Sequence, residues 1–162
     1  MGKIISLPAL ARLRARLRRE GKRVVFTNGT FDILHRGHVE YLAAARKMGD
    51  VLVVGLNSDA SIRRIKGPGR PVNPGPDRAA VLAGLASVDF VCVFGGDTPI
   101  RMIRKLVPDV LVKGADWKKA DIVGSDVVKK NGGAVRTVRL TPGRSTTTLI
   151  GRILRSHAGR GR

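Results

Sequence analysis

Thr27-Asn28-Gly29-Thr30-Phe31-Asp32-Ile33-Leu34-His35-Arg36-Gly37-His38 decides how this chain is read, because it joins a strand end, a glycine turn and two histidines three residues apart. Upstream, Arg23-Val24-Val25-Phe26 is short, β-branched and apolar, the pattern of a buried strand. Downstream, residues 39–48 are rich in Ala and Leu and read as a helix. At such a junction the first N–H groups of the helix lack intrahelical partners, and Gly29 and Gly37 let a ligand approach the main chain. A phosphate suits that place. Two imidazoles beside it can donate hydrogen bonds to oxygens that gain charge during group transfer. No metal site is expected, since the only other ligands of the zinc type are Cys92 and His157.

Working outward, apolar runs at 24–27, 51–56, 90–94, 110–113 and 135–140 alternate with helical patterns at 38–48, 77–86, 99–106, 122–130 and 145–155. This order predicts one α/β domain: a doubly wound, Rossmann-like, five-stranded parallel sheet with helices on both faces. Ligands of such sheets bind beyond the carboxyl ends of the strands, where the histidine motif falls. Residues 67–76 hold four prolines and three glycines and form neither helix nor central strand. They are a loop over the site or a connection at a subunit interface.

A chain of 162 residues supports one substantial core. There is no apolar run of 18 residues and no signal-peptide pattern, and the single cysteine fits a reducing compartment, so a cytoplasmic protein without membrane contact is expected. The net charge of +19 raises a different class, nucleic-acid binding through phosphate contacts. Against it, Leu7, Leu10, Leu13 and Leu17 lie at helical spacing, so residues 1–21 read as a basic amphipathic helix docked on the domain with its arginines solvated. No aromatic stacking platform or nucleic-acid module is visible, and nucleic acid is not expected as a partner.

His35-Arg36-Gly37-His38 matches the H-x-G-H signature of the nucleotidyltransferase superfamily, and Thr27 to Asp32 its T-N-G-x-F-D lead-in. Two further stretches, 56–73 with Asn57-Ser58-Asp59, Lys66-Gly67 and Arg70-Pro71-Val72-Asn73, and 107–117 with Val112-Lys113-Gly114 and Asp116, resemble the bacterial heptose 1-phosphate adenylyltransferases. The resemblance covers nearly all of 22–155. It implies a nucleotidyltransferase domain at 22–156, followed by a basic tail at 157–162.

The resemblance also implies roles. His35, His38 and Lys66 are the expected catalytic residues. Thr30, Phe31, Gly37, Lys113, Gly114, Asp116, Ser145, Thr146 and Thr147 are expected to hold the nucleotide, and Asn28, Asp32, Asn57 and Arg78 the second substrate. Arg78 reads equally as a phosphate contact, a loop anchor or a helix-surface salt bridge, and Trp117 as a stacking or a packing aromatic. The superfamily often carries an arginine where this chain has Ile150, which leaves Arg144 or Arg152 to supply that charge.

The implied reaction is attack by a sugar 1-phosphate, D-glycero-β-D-manno-heptose 1-phosphate, on the α-phosphorus of ATP, with Mg2+ bridging the triphosphate. A homodimer and a separate heptose kinase are the expected partners. The alternatives are a glycerol-3-phosphate cytidylyltransferase, a nucleic-acid-binding protein using the basic ends, and a non-catalytic nucleotide sensor. A P-loop, a G-x-S-x-G elbow and an H-E-x-x-H helix are all absent from the sequence.

Overall fold

The computed structural model describes residues 1–118, 121–139 and 141–157. In chain order the elements are β1 (Lys3–Ile4), α1 (Leu7–Arg19), β2 (Val24–Gly29), α2 (Arg36–Arg46), β3 (Val51–Asn57), α3 (Asp59–Lys66), α4 (Gly75–Gly84), β4 (Phe90–Phe94), α5 (Ile100–Leu106), β5 (Val110–Gly114), α6 (Ser125–Lys130), β6 (Ala134–Val138) and α7 (Thr146–His157). The expected strand end at Leu140 and most of the basic tail, 158–162, lie outside the described residues. No helix among the described residues is long and apolar enough to cross a membrane.

The strands pair in the order β1-β4-β3-β2-β5-β6, every pair parallel. The fold is therefore doubly wound, but the sheet has six strands rather than the expected five. The extra strand is β1, where Lys3 pairs with Phe90 and Ile4 with Val91. Two residues, one of them a lysine, are too short to display strand periodicity.

Successive side chains of a strand point to opposite faces, and the core divides accordingly. On one face Val25, Leu52 and Val54 pack with Tyr41, Leu42 and Ala45 of α2 and Ala79, Leu82 and Ala83 of α4. On the other, Val24, Phe26 and Val53 pack with Leu10 and Leu17 of α1 and Met102, Ile103 and Leu106 of α5. At the middle of the sheet Gly55 leaves room for a ring: a Cβ there would stand 2.8 Å from Cζ of Phe26.

The N-terminal helix is docked as expected, but its arginines are not all solvated. Arg14 is buried among the leucines. Its Nε donates to the carbonyls of Leu106 (3.2 Å) and Val107 (3.3 Å) at the end of α5, and its Nη2 to Oδ1 of Asp109 (2.8 Å). The other oxygen of Asp109 accepts from the Val24 N–H at 2.7 Å. A positive group at a helix C-terminus meets carbonyls that lack intrahelical partners, which is why a guanidinium is tolerated there.

Candidate active site

β2 lies between β3 and β5, so the chain winds away from β2 in both directions. A crevice opens at that switch point. It is a cleft of about 370 Å³ whose walls carry residues from the ends of β2 and β5, the turn before α2, the start of α2, the end of α3 and the start of α7. Of the residues expected to act here, Asn28, Thr30, Phe31, His35, Gly37, His38, Lys66, Lys113, Gly114, Asp116, Ser145, Thr146 and Thr147 all line it.

The turn after β2 is tight. Phe31 sits at φ 42°, in the left-handed region, where a bulky side chain costs about 1–2 kcal/mol. Its buried ring lies over Gly29, where a Cβ would come within 3.0 Å of Phe31 Cε2, and 5.3 Å from the His38 ring centroid. His35 then forms the N-cap of α2 without a side-chain capping bond; its carbonyl accepts from the His38 N–H at 2.9 Å, which leaves the N–H groups of Arg36 and Gly37 without an intrahelical partner.

The two imidazoles stack, with centroids 3.8 Å apart and planes 22° from parallel. Both Nδ1 atoms are buried without a partner. Nε2 is thus the nitrogen each ring offers to the cleft. Burial, followed by the charges of His35 and Lys66, pushes the His38 imidazole down to about 4. Burial and the Arg144 guanidinium also hold His35 below its ordinary value. At neutral pH His38 is therefore an uncharged hydrogen-bonding group. Gly37 makes the stack possible, since a Cβ there would meet Nδ1 of His35 at 3.1 Å and Cβ of Arg144 at 3.3 Å.

Cations ring the histidines. Lys66 Nζ donates to Oγ1 of Thr30 at 3.4 Å, and burial together with the nearby Arg70 lowers its pKa despite Asp32. Lys113 donates to the carbonyl of Asn28 at 3.3 Å and stands 5.5 Å from the Trp117 ring centroid. Burial brings it down to about 8, opposed by Asp116. Trp117 is 47% exposed and lines the cleft, so it is not a packing aromatic. Of the two arginines open to the superfamily role, Arg144 lines this cleft, while Arg152 borders a smaller neighbouring hollow. Ser145 caps α7, its Oγ accepting from the Thr148 N–H at 3.0 Å, and Thr146 donates to the Ile33 carbonyl at 3.4 Å.

Three expected substrate contacts are placed elsewhere. Asp32, Asn57 and Arg78 are buried and absent from the cleft wall. Asp32 accepts from Arg70 Nε at 2.6 Å and from the N–H groups of Val72 and Asn73, both at 2.9 Å, and so ties the proline-rich loop to the histidine turn. Burial alone would raise its pKa, but these donors outweigh it and hold the carboxyl below its usual value. Asn57 donates to Ser61 Oγ at 3.0 Å. Arg78 donates to the carbonyls of Asn73 (3.0 Å), Thr30 (2.6 Å) and Asn57 (3.0 Å) and to Asp59 Oδ1 (2.6 Å). It is a loop anchor with its guanidinium fully engaged. Through Arg70, which lines the cleft, the loop borders the site.

Gly29, expected to let a ligand approach, lines the cleft as well, and so do Tyr41, Arg70 and Thr141, to which the sequence pattern assigns no site role. Tyr41 had a signal in its spacing, one turn beyond His38. Its hydroxyl meets Thr27 Oγ1 at 2.7 Å and donates to the Val112 carbonyl at 3.1 Å, bracing β2 and β5 beneath the site. Thr141 donates to Glu40, a link between distant segments that no local pattern encodes.

A parallel doubly wound sheet with paired histidines at its switch point defines a class of nucleotide-handling domain. Residues 26–149 match the Cytidylyltransferase-like family, and the chain belongs to it. Over 148 residues, 91% of this chain, it is 56% identical to the bifunctional protein HldE of Campylobacter concisus (strain 13826). Over 150 residues, 93% of the chain, it is 58% identical to the bifunctional protein HldE of Mesorhizobium japonicum. The chain spans 30% of the length of each of these relatives. The crystal structure of the lipopolysaccharide core biosynthesis protein from Thermoplasma volcanium GSS1 aligns with a TM-score of 0.62 at 30% identity, covering 75% of this chain and 98% of that one.

Proposed function

We propose that this protein is an adenylyltransferase that transfers AMP from ATP to D-glycero-β-D-manno-heptose 1-phosphate, releasing pyrophosphate and ADP-heptose for surface glycan synthesis. The observation that carries the reading is the stacked His35–His38 pair in a cleft ringed by Lys66, Arg70, Lys113 and Arg144. Such a ring suits two phosphate-bearing substrates. The identity to the HldE proteins and the heptose-type pattern at 56–73 support this acceptor.

An oxygen of the sugar phosphate attacks the α-phosphorus in line, and the bond from that phosphorus to the bridging oxygen of the leaving pyrophosphate breaks. The acceptor phosphate is already ionised at neutral pH, so no general base is required. Nε2–H groups of neutral His35 and His38, the Lys66 ammonium and the open N–H groups of α2 stabilise the charge that grows on the α-phosphate oxygens. Asp116 is the one carboxylate on the described cleft wall. Asp116 would be the carboxylate facing a magnesium ion brought with the triphosphate, and the ion would supply charge neutralisation there. A homodimer in the cytoplasm, supplied by a sugar kinase reaction, completes the reading.

Pyrophosphate release tests it, with magnesium, each of ATP, CTP and GTP, and the β- and α-heptose 1-phosphates or glycerol 3-phosphate as acceptors. Release with ATP and the β-heptose phosphate alone is the expected result. Release with CTP and glycerol 3-phosphate moves the protein to the cytidylyltransferase branch, and silence with folded protein refutes both.

A further inference from the structure

Two arginines of the same segment, Arg70 and Arg78, meet opposite fates. Arg78 spends all three guanidinium nitrogens on protein oxygens and has no exposed side-chain surface. Arg70 spends one: Nε donates to Asp32 at 2.6 Å, while Nη2 is buried with no partner. A buried N–H left unpaired costs about 1–3 kcal/mol, and more on a charged group, so such a donor calls for an acceptor the protein itself does not supply. Arg70 lines the cleft.

Its surroundings define what that acceptor is. The nearest carboxylate, Asp32, already accepts from Arg70 and from two backbone N–H groups, and its side chain is wholly buried. Lys66 stands on the same side, at Thr30, so two cations converge there. A second positive group, Arg144, packs against Gly37 at the start of α2, beside the hydroxyls of Ser145, Thr146 and Thr147. Each group bears on a histidine, Arg144 on His35 and Lys66 on His38. The cleft thus carries two positive groups, Lys66 with Arg70 and Arg144 beside the hydroxyls of α7. The start of α7, with its hydroxyls and open N–H groups, suits the outer phosphates of a triphosphate. The Lys66–Arg70 end is left for the second anion.

We propose that Arg70 grips the phosphate monoester of the acceptor substrate through its guanidinium, of which only Nε is engaged by the protein, and that Asp32 is the positioning residue that holds it there; this rests on the nucleotidyl-transfer reading above. A planar fork matches two oxygens of one phosphate, which a lysine ammonium does not. The contact selects for a phosphorylated acceptor while leaving the nucleotide end untouched.

The test is steady-state kinetics of Arg70→Lys and Arg70→Gln with each substrate varied in turn, alongside thermal melting. Lysine can keep the ion pair with Asp32 and so preserve the loop even where glutamine loosens it. The expected result for both variants is a KM for the sugar phosphate raised about tenfold or more, with the KM for ATP within about twofold of wild type. An unchanged acceptor KM, or a rise confined to ATP, overturns the assignment. If the wild type turns over no acceptor at all, the nucleotidyl-transfer reading fails separately. Titration with inorganic phosphate then decides for Arg70. Binding about tenfold weaker in Arg70→Gln upholds the anion grip, and equal binding refutes it.

Discussion

The rings of His35 and His38 lie face to face, 3.8 Å between centroids, and Gly37 leaves room beside them, since a Cβ there would stand 3.1 Å from Nδ1 of His35. In the proposed mechanism, replacing His38 by Ala removes one of two hydrogen-bond donors to the reacting phosphate, whereas its buried Nδ1 has no folded-state hydrogen bond to lose. Turnover should fall at least a hundredfold, on the order of 3 kcal/mol of transition-state stabilisation, while the melting temperature stays level or rises. Single-turnover kinetics and calorimetry check the two halves of that statement. Near-wild-type turnover would remove His38 from the mechanism.

A methyl group at residue 37 tests the stack from the other side. Gly37→Ala forces the His35 ring or the Arg144 Cβ to give way by a few tenths of an ångström. Because misplacement of a catalytic group is costly, kcat should drop about tenfold or more, with the fold retained. An equally active alanine variant would mean that the stacked geometry is not the working one.

Acid should weaken the fold through His38. In the unfolded chain this residue protonates near 6.5, whereas in the folded free protein it does so at about 4. Between those values the unfolded state binds more protons, so stability is full above 6.5 and is lost as pH falls toward 4. A shift of this size corresponds to at most about 3 kcal/mol. Urea unfolding of wild type and His38→Ala at pH 7 and pH 4.5 reads it out: the wild type should lose more stability than the variant over that interval.

Arg78→Met should behave as a stability mutant rather than a binding mutant. It strands three carbonyls and the Asp59 carboxylate that Arg78 now satisfies, a loss of about 3 kcal/mol or more. Equilibrium denaturation measures it directly. A stable variant with only a raised KM would return Arg78 to the list of substrate contacts.

The fold was largely legible because β2 to β6 are apolar, β-branched runs separated by helical spacing. The cleft was legible because its floor is a contiguous motif at a strand end. What stayed hidden follows from burial, which one-dimensional pattern does not carry. Asp32, Asn57 and Arg78 are polar neighbours of the motif and read as ligand contacts, yet their partners are carbonyls, a hydroxyl and loop N–H groups brought in from other segments. Arg14 lies four residues after Leu10 and three before Leu17, so its place on the buried stripe was visible. Its charge argued for solvent, and only the end of α5 explains why it is inside. Arg70 was quoted as part of a pattern, but its unpaired nitrogen exists only in three dimensions.

The Arg78 anchor has a consequence for anyone wishing to change what this scaffold accepts. Because one side chain joins the histidine turn, the end of β3, the start of α3 and the proline-rich loop, these pieces form a single cassette rather than interchangeable parts. Exchanging the loop alone between relatives would leave its anchor and its Asp32 tether mismatched. A successful graft should carry residues 57–78 together with 30–32, and a library confined to side chains facing the cleft would sample new acceptors without loosening the frame that aligns them.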